Sequence, residues 1–287
     1  MFKKLSFLFF KILLFIDVIL KFILNRRLLP FFREFFHKNS YRKIKILDNE
    51  IKFFTPNQLT EYRVDTFFTK EPDMLRWIDN FKEIDKLIFW DIGANIGLYS
   101  IYNALKNKTS TTISFEPSTS NLRCLSRNIS INNLENKIKV FSLPLTNIEN
   151  KFFIMNESYF NEGGALNTFG HDYNFEGKIF KPEMKYQLLG TTINYLLDNN
   201  ILDIPDYIKI DVDGIEHLIL EGSNKYLINK KIKSIIVEIN ENFAEQYEKV
   251  LDIMQKNEFK ILQKEQNLEV FNRSVKFQKT SNYIFIR

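Results

Sequence analysis

The chain has 287 residues, 45% of them hydrophobic, which excludes a disordered chain and suits one α/β domain with an extension. Its 40 basic and 35 acidic residues leave a net charge of +5, and no aromatic and basic RNA-binding pattern occurs, which argues against nucleic acid as a partner. A lone cysteine, Cys124, excludes an internal disulfide; with His37, His171 and His217 the only histidines, no zinc site is expected, and a reducing, cytoplasmic setting fits.

Residues 1–40 read as a basic, aromatic extension. Lys11, Asp17 and Lys21 break its apolar runs too often for a spanning helix, and no alanine precedes Ala94 to mark a secretory cleavage site. Wound as a helix, Lys3, Lys4, Ser6, Lys11, Asp17 and Lys21 gather in one sector and leave a broad apolar face. With Arg26 and Arg27, residues 1–36 suit peripheral contact with the inner face of an anionic membrane; packing on the rest of the chain or on a second subunit is the competing reading.

Residues 41–287 read as one domain. Tyr41 to Phe54 alternate around Asp48-Asn49-Glu50 as a β-hairpin, and a loop carrying Arg63 follows. Glu71-Pro72 opens a helix that places Met74, Leu75, Trp77, Ile78 and Phe81 on one face. Glu71 itself reads as a site residue or as a charge favoured near a helix N-terminus.

The central stretch is Leu87 to Tyr102. An apolar strand stops at Asp91, passes through Gly93, Asn95 and Gly97, and enters a helix bearing Leu98, Ile101, Tyr102 and Leu105. Such a turn lies at the carboxyl edge of an α/β sheet, where ligands collect, and its glycines and first helical amides can approach a ligand. A dinucleotide loop would read G-x-G-x-x-G, whereas here Asn95 replaces the middle glycine and the third is missing. A carboxylate at Asp91 would repel a pyrophosphate and welcome a cation, so S-adenosylmethionine, with its ammonium and sulfonium, suits the turn better than NAD. The next strand, Thr111 to Phe115, ends in Glu116-Pro117, at the spacing where an acid binds ribose hydroxyls.

A helix through Asn121 to Ile129 and a strand over Lys137 to Ser142 continue the alternation. Residues 143–205 interrupt it with a hairpin near Phe152 to Met155, the loop Asn161 to Gly170 and a short helix capped by Thr191 or Thr192; an insertion there is expected to cover or shape the acceptor site. The fourth core strand runs from Asp206 to Asp211 into Val212-Asp213-Gly214-Ile215-Glu216. Asp211, Asp213 and Glu216 could bind the cofactor ammonium, hold a divalent cation or accept a proton from the substrate. Asp213 and Glu216 equally resemble a capping box. Lys233 to Ile239 form a fifth strand with Glu238 near its ligand end, and Phe259 to Leu262 and Asn282 to Ile286 supply closing antiparallel strands.

From about Arg63 onward the chain resembles the FkbM family of class I S-adenosylmethionine-dependent methyltransferases. Glu71-Pro72, Trp90 to Ser100, Phe115-Glu116-Pro117, Ile208 to Glu216, Ile236 to Ile239 and Asn282 to Ile286 carry the resemblance. It implies a doubly wound, Rossmann-like, seven-stranded and mostly parallel sheet with an antiparallel last hairpin. It also implies adenosine bound between Gly93 and Glu116, with O-methylation of a hydroxyl on a sugar, glycan or other natural product. Asp213 stands where the family more often has Glu, and Asn194 where its Thr-x-Asp segment has the acid. On these readings Asp91, Gly93, Asn95, Gly97 and Glu116 bind the cofactor and Asp211, Asp213 and Glu216 serve catalysis. Two rivals remain: a membrane-associated binding protein that keeps the fold without turnover, and an NAD-dependent oxidoreductase.

Overall fold

Residues 1–266 and 279–287 are described by the computed structural model, and they divide into two units, 1–41 and 42–287. The first holds α1 (Phe2–Leu24) and α2 (Leu29–Asn39), so the single helix expected over residues 1–36 is in fact two. Asn25 ends α1 in the left-handed region at φ 49°, and Pro30 sits in the first turn of α2, where a missing N–H is tolerated. Asp17, wound onto the polar face with the lysines, is instead buried. Its Oδ1 accepts the N–H groups of Leu28 at 2.6 Å and Leu29 at 2.8 Å, and so satisfies free donors at the start of α2. Phe2, Phe15 and Phe22 are 77%, 67% and 91% exposed. No helix among the described residues is long and apolar enough to cross a membrane.

The hairpin β1 (Tyr41–Ile46) and β2 (Asn49–Phe54) leads into α3 (Gln58–Asp65), α4 (Phe67–Lys70) and α5 (Pro72–Asp79). A reciprocal cap between Asn57 and Thr60 starts α3. On α5 the apolar face lies inward, and Trp77 Nε1 donates to Ser234 Oγ at 2.9 Å. Strand and helix then alternate through β3 (Ile88–Ile92), α6 (Leu98–Lys106), β4 (Thr111–Phe115), α7 (Thr119–Ile131) and β5 (Ile138–Phe141). Between β5 and the next core strand lie β6 (Lys151–Glu157), β7 (Thr168–Phe169), β8 (Met184–Gly190) and α8 (Ile193–Asp198). The three strands form their own antiparallel sheet in the order β7-β6-β8, and Thr192 caps α8.

The core resumes with β9 (Tyr207–Ile210), α9 (Glu216–Glu221), β10 (Ser234–Asn240) and α10 (Ala244–Lys256), and closes with β11 (Lys260–Gln266) and β12 (Thr280–Ile286). Seven strands lie in the order β11-β12-β10-β9-β3-β4-β5, parallel from β10 to β5, with β12 antiparallel to both its neighbours. This is the doubly wound α/β sheet with a reversed last hairpin. The chain winds outward from β3 through β4 and β5, then returns to the other side of β3 as β9 and β10. The switch point therefore lies between β3 and β9, where an open sheet parts to receive a ligand. Mainly apolar runs buried on both faces build the central strands β3, β9 and β10, and in the middle of β9 Lys209 is only 1% exposed.

Candidate functional site

The turn from β3 to α6 is pressed against the end of β9. Gly93 has φ 81°, and a Cβ there would lie 1.8 Å from the carbonyl oxygen of Asp211, so a side chain is excluded by space as well as by conformation. Gly97 has φ 90°, and its Cβ would meet Leu125 Cδ1 at 2.6 Å, which brings α7 close against α6. The turn amides are not free: Gly93 and Ala94 both donate to the Phe115 carbonyl at 3.0 Å, and Asn95 donates to Glu116 Oε2 at 2.7 Å. These donors bind β4 and its following residue, not a ligand.

The acids at the ends of β3 and β4 differ sharply. Asp91 has no exposed surface; its Oδ1 lies 3.1 Å from Lys209 Nζ, and its Oδ2 accepts Ser100 Oγ at 2.6 Å. The reading of Asp91 as a direct partner of a cationic ligand is corrected here, because the lysine on the neighbouring strand already takes that charge and Asp91 lines neither of the site's two cavities. Lys209 also donates to the carbonyls of Ile92 at 3.3 Å and Gly93 at 3.1 Å, and lies 3.5 Å from Asp211 Oδ2. Burial would lower its pKa, but Asp91 and Asp211 hold it above the ordinary value. Glu116, by contrast, lines a cavity. Its Oε1 accepts Ser118 N at 2.9 Å, and burial pushes its pKa up to about 7 against the pull of its hydrogen-bond donors.

At the end of β9, Asp211 keeps 27% of its side chain exposed and faces the turn. Asp213 has φ 63°, outside the extended region an N-cap aspartate typically takes, and α9 is capped by Ile215, so the capping-box reading of Asp213 falls. Its Oδ2 accepts Leu166 N at 2.6 Å from the 143–205 segment, and burial, then the charge of Asp211, pushes its pKa up to about 6. Glu216 is corrected as a catalytic candidate. Its buried carboxylate folds back onto the N–H groups of Val212 at 3.1 Å and Gly214 at 3.0 Å and takes Gln246 Nε2, which shapes the turn from within. Asn194 is bound to Asn224 at 2.7 Å and to Lys225 N at 3.2 Å, and lines neither cavity.

Two cavities meet at Gly93, Asn95 and Asp211. One, with about 600 Å³ of empty space, runs past Phe115, Glu116 and Leu143 to Leu145, and is covered by Met155, Thr168 and Phe169 from the small sheet. The other, about 470 Å³, carries both signs of charge: Arg63, Lys70 and Lys209 beside Glu71 and Asp211. There Glu71 lies 3.1 Å from Lys70 Nζ and accepts Tyr99 OH at 2.5 Å; burial raises its pKa, but these partners bring it below the ordinary value. Burial, then Asp211, Asp213 and Glu71, push Glu238 well above the carboxylate range. Among the described residues no group of three or more His, Cys, Asp or Glu side chains is placed to hold a metal ion.

A strap from the inserted segment crosses this junction. Gly164 O accepts Asn95 Nδ2 at 2.7 Å and Asn121 Nδ2 at 3.0 Å, Gly163 O accepts Arg63 Nε at 2.6 Å, and Glu162 pairs with Arg123 at 2.7 Å. Sequence reasoning missed Lys70, Tyr99, Asn121 and Lys209. The one local signal was a lysine standing inside the apolar strand Tyr207 to Ile210.

The Methyltransferase FkbM domain matches residues 91–261, more than half of the chain. No curated protein matches. Among solved structures, a precorrin-6y C5,15-methyltransferase from Geobacter metallireducens is 12% identical with a TM-score of 0.43, over 76% of this chain and 86% of that one. TYW2 of M. jannaschii in complex with AdoMet is 12% identical with a TM-score of 0.41, over 86% and 87%. TrmK of M. capricolum in complex with S-adenosyl-homocysteine is 12% identical with a TM-score of 0.41, over 74% and 66%. The assignment rests on the sequence match and not on these likenesses: the chain belongs to the FkbM family of methyltransferases.

Proposed function

We propose that the protein is an S-adenosylmethionine-dependent O-methyltransferase acting on a hydroxyl of a sugar, glycan or other natural product. The observation that carries the reading is the pair of cavities joined at Gly93, one apolar and containing a buried carboxylate, the other lined by both signs of charge. The first fits a nucleoside, with Glu116 accepting the vicinal hydroxyls of its ribose. In the second, Arg63 and Lys70 suit a carboxylate and Glu71 and Asp211 an ammonium, the two charges of an amino-acid tail. A diphosphate fits poorly, since the amides of Gly93, Ala94 and Asn95 are already bonded.

When bound, S-adenosylmethionine supplies a methyl group already activated by its sulfonium. The chain must then align an acceptor hydroxyl with that carbon, exclude water and take the hydroxyl proton. Asp213 is the best-supported proton acceptor: it lines the cavity and its pKa of about 6 lies nearer neutrality than that of an ordinary carboxylate. Asp211, facing Lys209, is suited to orienting the acceptor. The strap from Glu162 to Leu166, held by Asn95, Asn121 and Asp213, supports the exclusion of water.

Isothermal titration with S-adenosylhomocysteine and with NAD tests the cofactor: binding of the first alone is expected, and binding of NAD alone overturns the reading. Asp213→Asn is expected to retain S-adenosylhomocysteine affinity while lowering methyl transfer by about 10²- to 10⁴-fold. Mass spectrometry of surface glycans from cells carrying either form, read for one methyl's mass, checks it. Glycans unmethylated in both, with affinity retained, favour a binding protein that keeps the fold without turnover.

Residues 1–36 support peripheral contact with an anionic membrane. Asp17 is tied to the start of α2, Glu34 is paired with Lys38, and exposed apolar side chains lie among lysines and arginines. Flotation with anionic but not neutral vesicles, lost on deleting residues 1–36, is the expected result; equal flotation of the deleted chain removes the reading.

A further inference from the structure

Three cations line the charged cavity, and they are not equivalent. Lys70 Nζ lies 3.1 Å from Glu71, and Lys209 Nζ lies 3.1 Å from Asp91 and 3.5 Å from Asp211, so each has its charge met within the chain. Arg63 has no carboxylate within ion-pair reach among the described residues; its one hydrogen bond there runs from Nε to Gly163 O at 2.6 Å. That leaves the two terminal nitrogens of the guanidinium without a protein partner among those residues, on a side chain only half-buried. Behind burial, the Arg63 charge is felt at Lys70 in this cavity and at Asp213 in the other, which puts the guanidinium beside the junction where the two meet. An unmatched cation set near a second cation calls for an anion, and a planar guanidinium takes a carboxylate on two nitrogens at once.

The bond that Arg63 does make goes to the strap. Asn57, the N-cap of α3, donates Nδ2 to Glu162 O at 3.0 Å, so α3 and its cap hold successive carbonyls of the strap. Further along, Gly163 N donates to Asn121 Oδ1 at 2.9 Å, Gly164 O takes Asn95 and Asn121, and Leu166 N reaches Asp213. The strap thus runs from Arg63 to the side chain read above as the proton acceptor. A guanidinium is rigid, so fixing Nε sets the direction of the two outer nitrogens, and a ligand seated on those nitrogens fixes Nε in turn.

We propose that Arg63 selects the cofactor by its carboxylate and bridges it to the strap, the outer nitrogens taking the carboxylate while Nε keeps Gly163. The inference rests on the S-adenosylmethionine reading above, gives the carboxylate to Arg63 rather than to Lys70, and makes the cover of the site respond to the cofactor. A ligand that contacts the closed strap's anchor better than the open one shifts the strap toward closure by that difference.

The full chain is titrated calorimetrically with S-adenosylhomocysteine and with its decarboxylated analogue, and amide hydrogen exchange over residues 162–166 is followed at saturation with each, for wild type, Arg63→Gln and Arg63→Lys. Glutamine places an amide nitrogen where arginine has Nε, so it can keep Gly163 but brings no charge to the ligand. Lysine keeps the charge but puts a carbon at that position. Wild type is expected to prefer the carboxylated ligand and to exchange more slowly across the strap with it than with the analogue. Arg63→Gln should lose about 10- to 150-fold in affinity for S-adenosylhomocysteine and little for the analogue, so that the preference collapses. Arg63→Lys should keep a preference, but its strap should exchange equally fast with either ligand. An unchanged preference in Arg63→Gln overturns the proposal and returns the carboxylate to Lys70; an equal loss for both ligands with a lower melting temperature, the mark of a packing role, overturns it too. Strap exchange in Arg63→Lys that is still slowed by the carboxylate removes the bridge. If wild type binds both ligands equally, the Arg63 proposal alone falls; if it does not bind S-adenosylhomocysteine at all, the cofactor reading falls as well.

Discussion

Asp91 and Glu116 end adjacent parallel strands, are both buried, and look alike in sequence, yet they do opposite things. Asp91 pairs in register with Lys209 on one side and Ser114 on the other, so it finds a cation in the next strand and a hydroxyl network through Ser100. Glu116, one strand further out, has no such neighbour; it holds two backbone N–H groups and opens onto a cavity. The lesson is that a strand-end acid is turned inward or left facing a cavity by what stands across the sheet from it, at the switch point above all. Charge at the end of β3 therefore organises the turn, and charge at the end of β4 lines a cavity.

The sharpest way to break this contrast is to remove Asp91. Asp91→Ala leaves Lys209 buried without its nearest carboxylate and is expected to lower stability by about 3–5 kcal/mol, measured by denaturant unfolding. Asp91→Leu combined with Lys209→Met should recover much of that loss, since an apolar pair replaces an ionic one. A single Asp91→Ala variant as stable as wild type would mean that the pair does not hold the turn.

Glu116 should respond the other way. Glu116→Gln keeps an oxygen for one N–H but no longer offers a charged acceptor to a diol, so S-adenosylhomocysteine affinity should fall by about 1.5–3 kcal/mol while the ligand-free fold changes little. Calorimetric titration beside a thermal melt reads both. Loss of folding with affinity preserved would exchange the roles of the two acids.

Much of the sheet was legible in the chain itself, because the central parallel strands are short, mainly buried runs and β3, β4, β9 and β10 carry an acid at or near their carboxyl ends. The glycines of the turn were equally plain: Gly93 has no room for a side chain and Gly97 no compatible backbone. What stayed hidden depends on partners far apart in sequence. Asn57 and Asn95 meet the strap 105 and 69 residues later, and Asp213 meets Leu166 47 residues earlier; no period or local motif encodes such pairs. Asp17 was misread for a similar reason: winding one helix places it with the lysines, whereas a break at Asn25 brings a second helix start onto it. Lys209 was visible as a lysine in an apolar strand, but only the strand order says which acid it meets.

A smaller effect tests the same contrast through pH. Burial pushes Glu116 and Glu216 up to about 7 from an ordinary carboxylate value of 4.5. Between those values the folded chain holds protons that the unfolded chain has released, so stability is greatest at the acidic end of the window and falls as pH rises toward and through 7. His217 works in the opposite sense below its ordinary 6.5, because burial pushes it down to about 4 and the unfolded chain then gains the proton. The comparison is therefore cleanest between pH 6.5 and 8, where each of the two acids should contribute about 1 kcal/mol of extra stability at the lower pH. Thermal melts of the ligand-free chain should show the higher Tm at pH 6.5. Glu116→Gln and Glu216→Gln should each remove part of the shift, but only the Glu116 share should respond to S-adenosylhomocysteine, because a ribose diol donates to the ionised carboxylate and favours it. If the ligand instead removes the share carried by Glu216, the acid at the end of β4 is not the one that faces the cofactor.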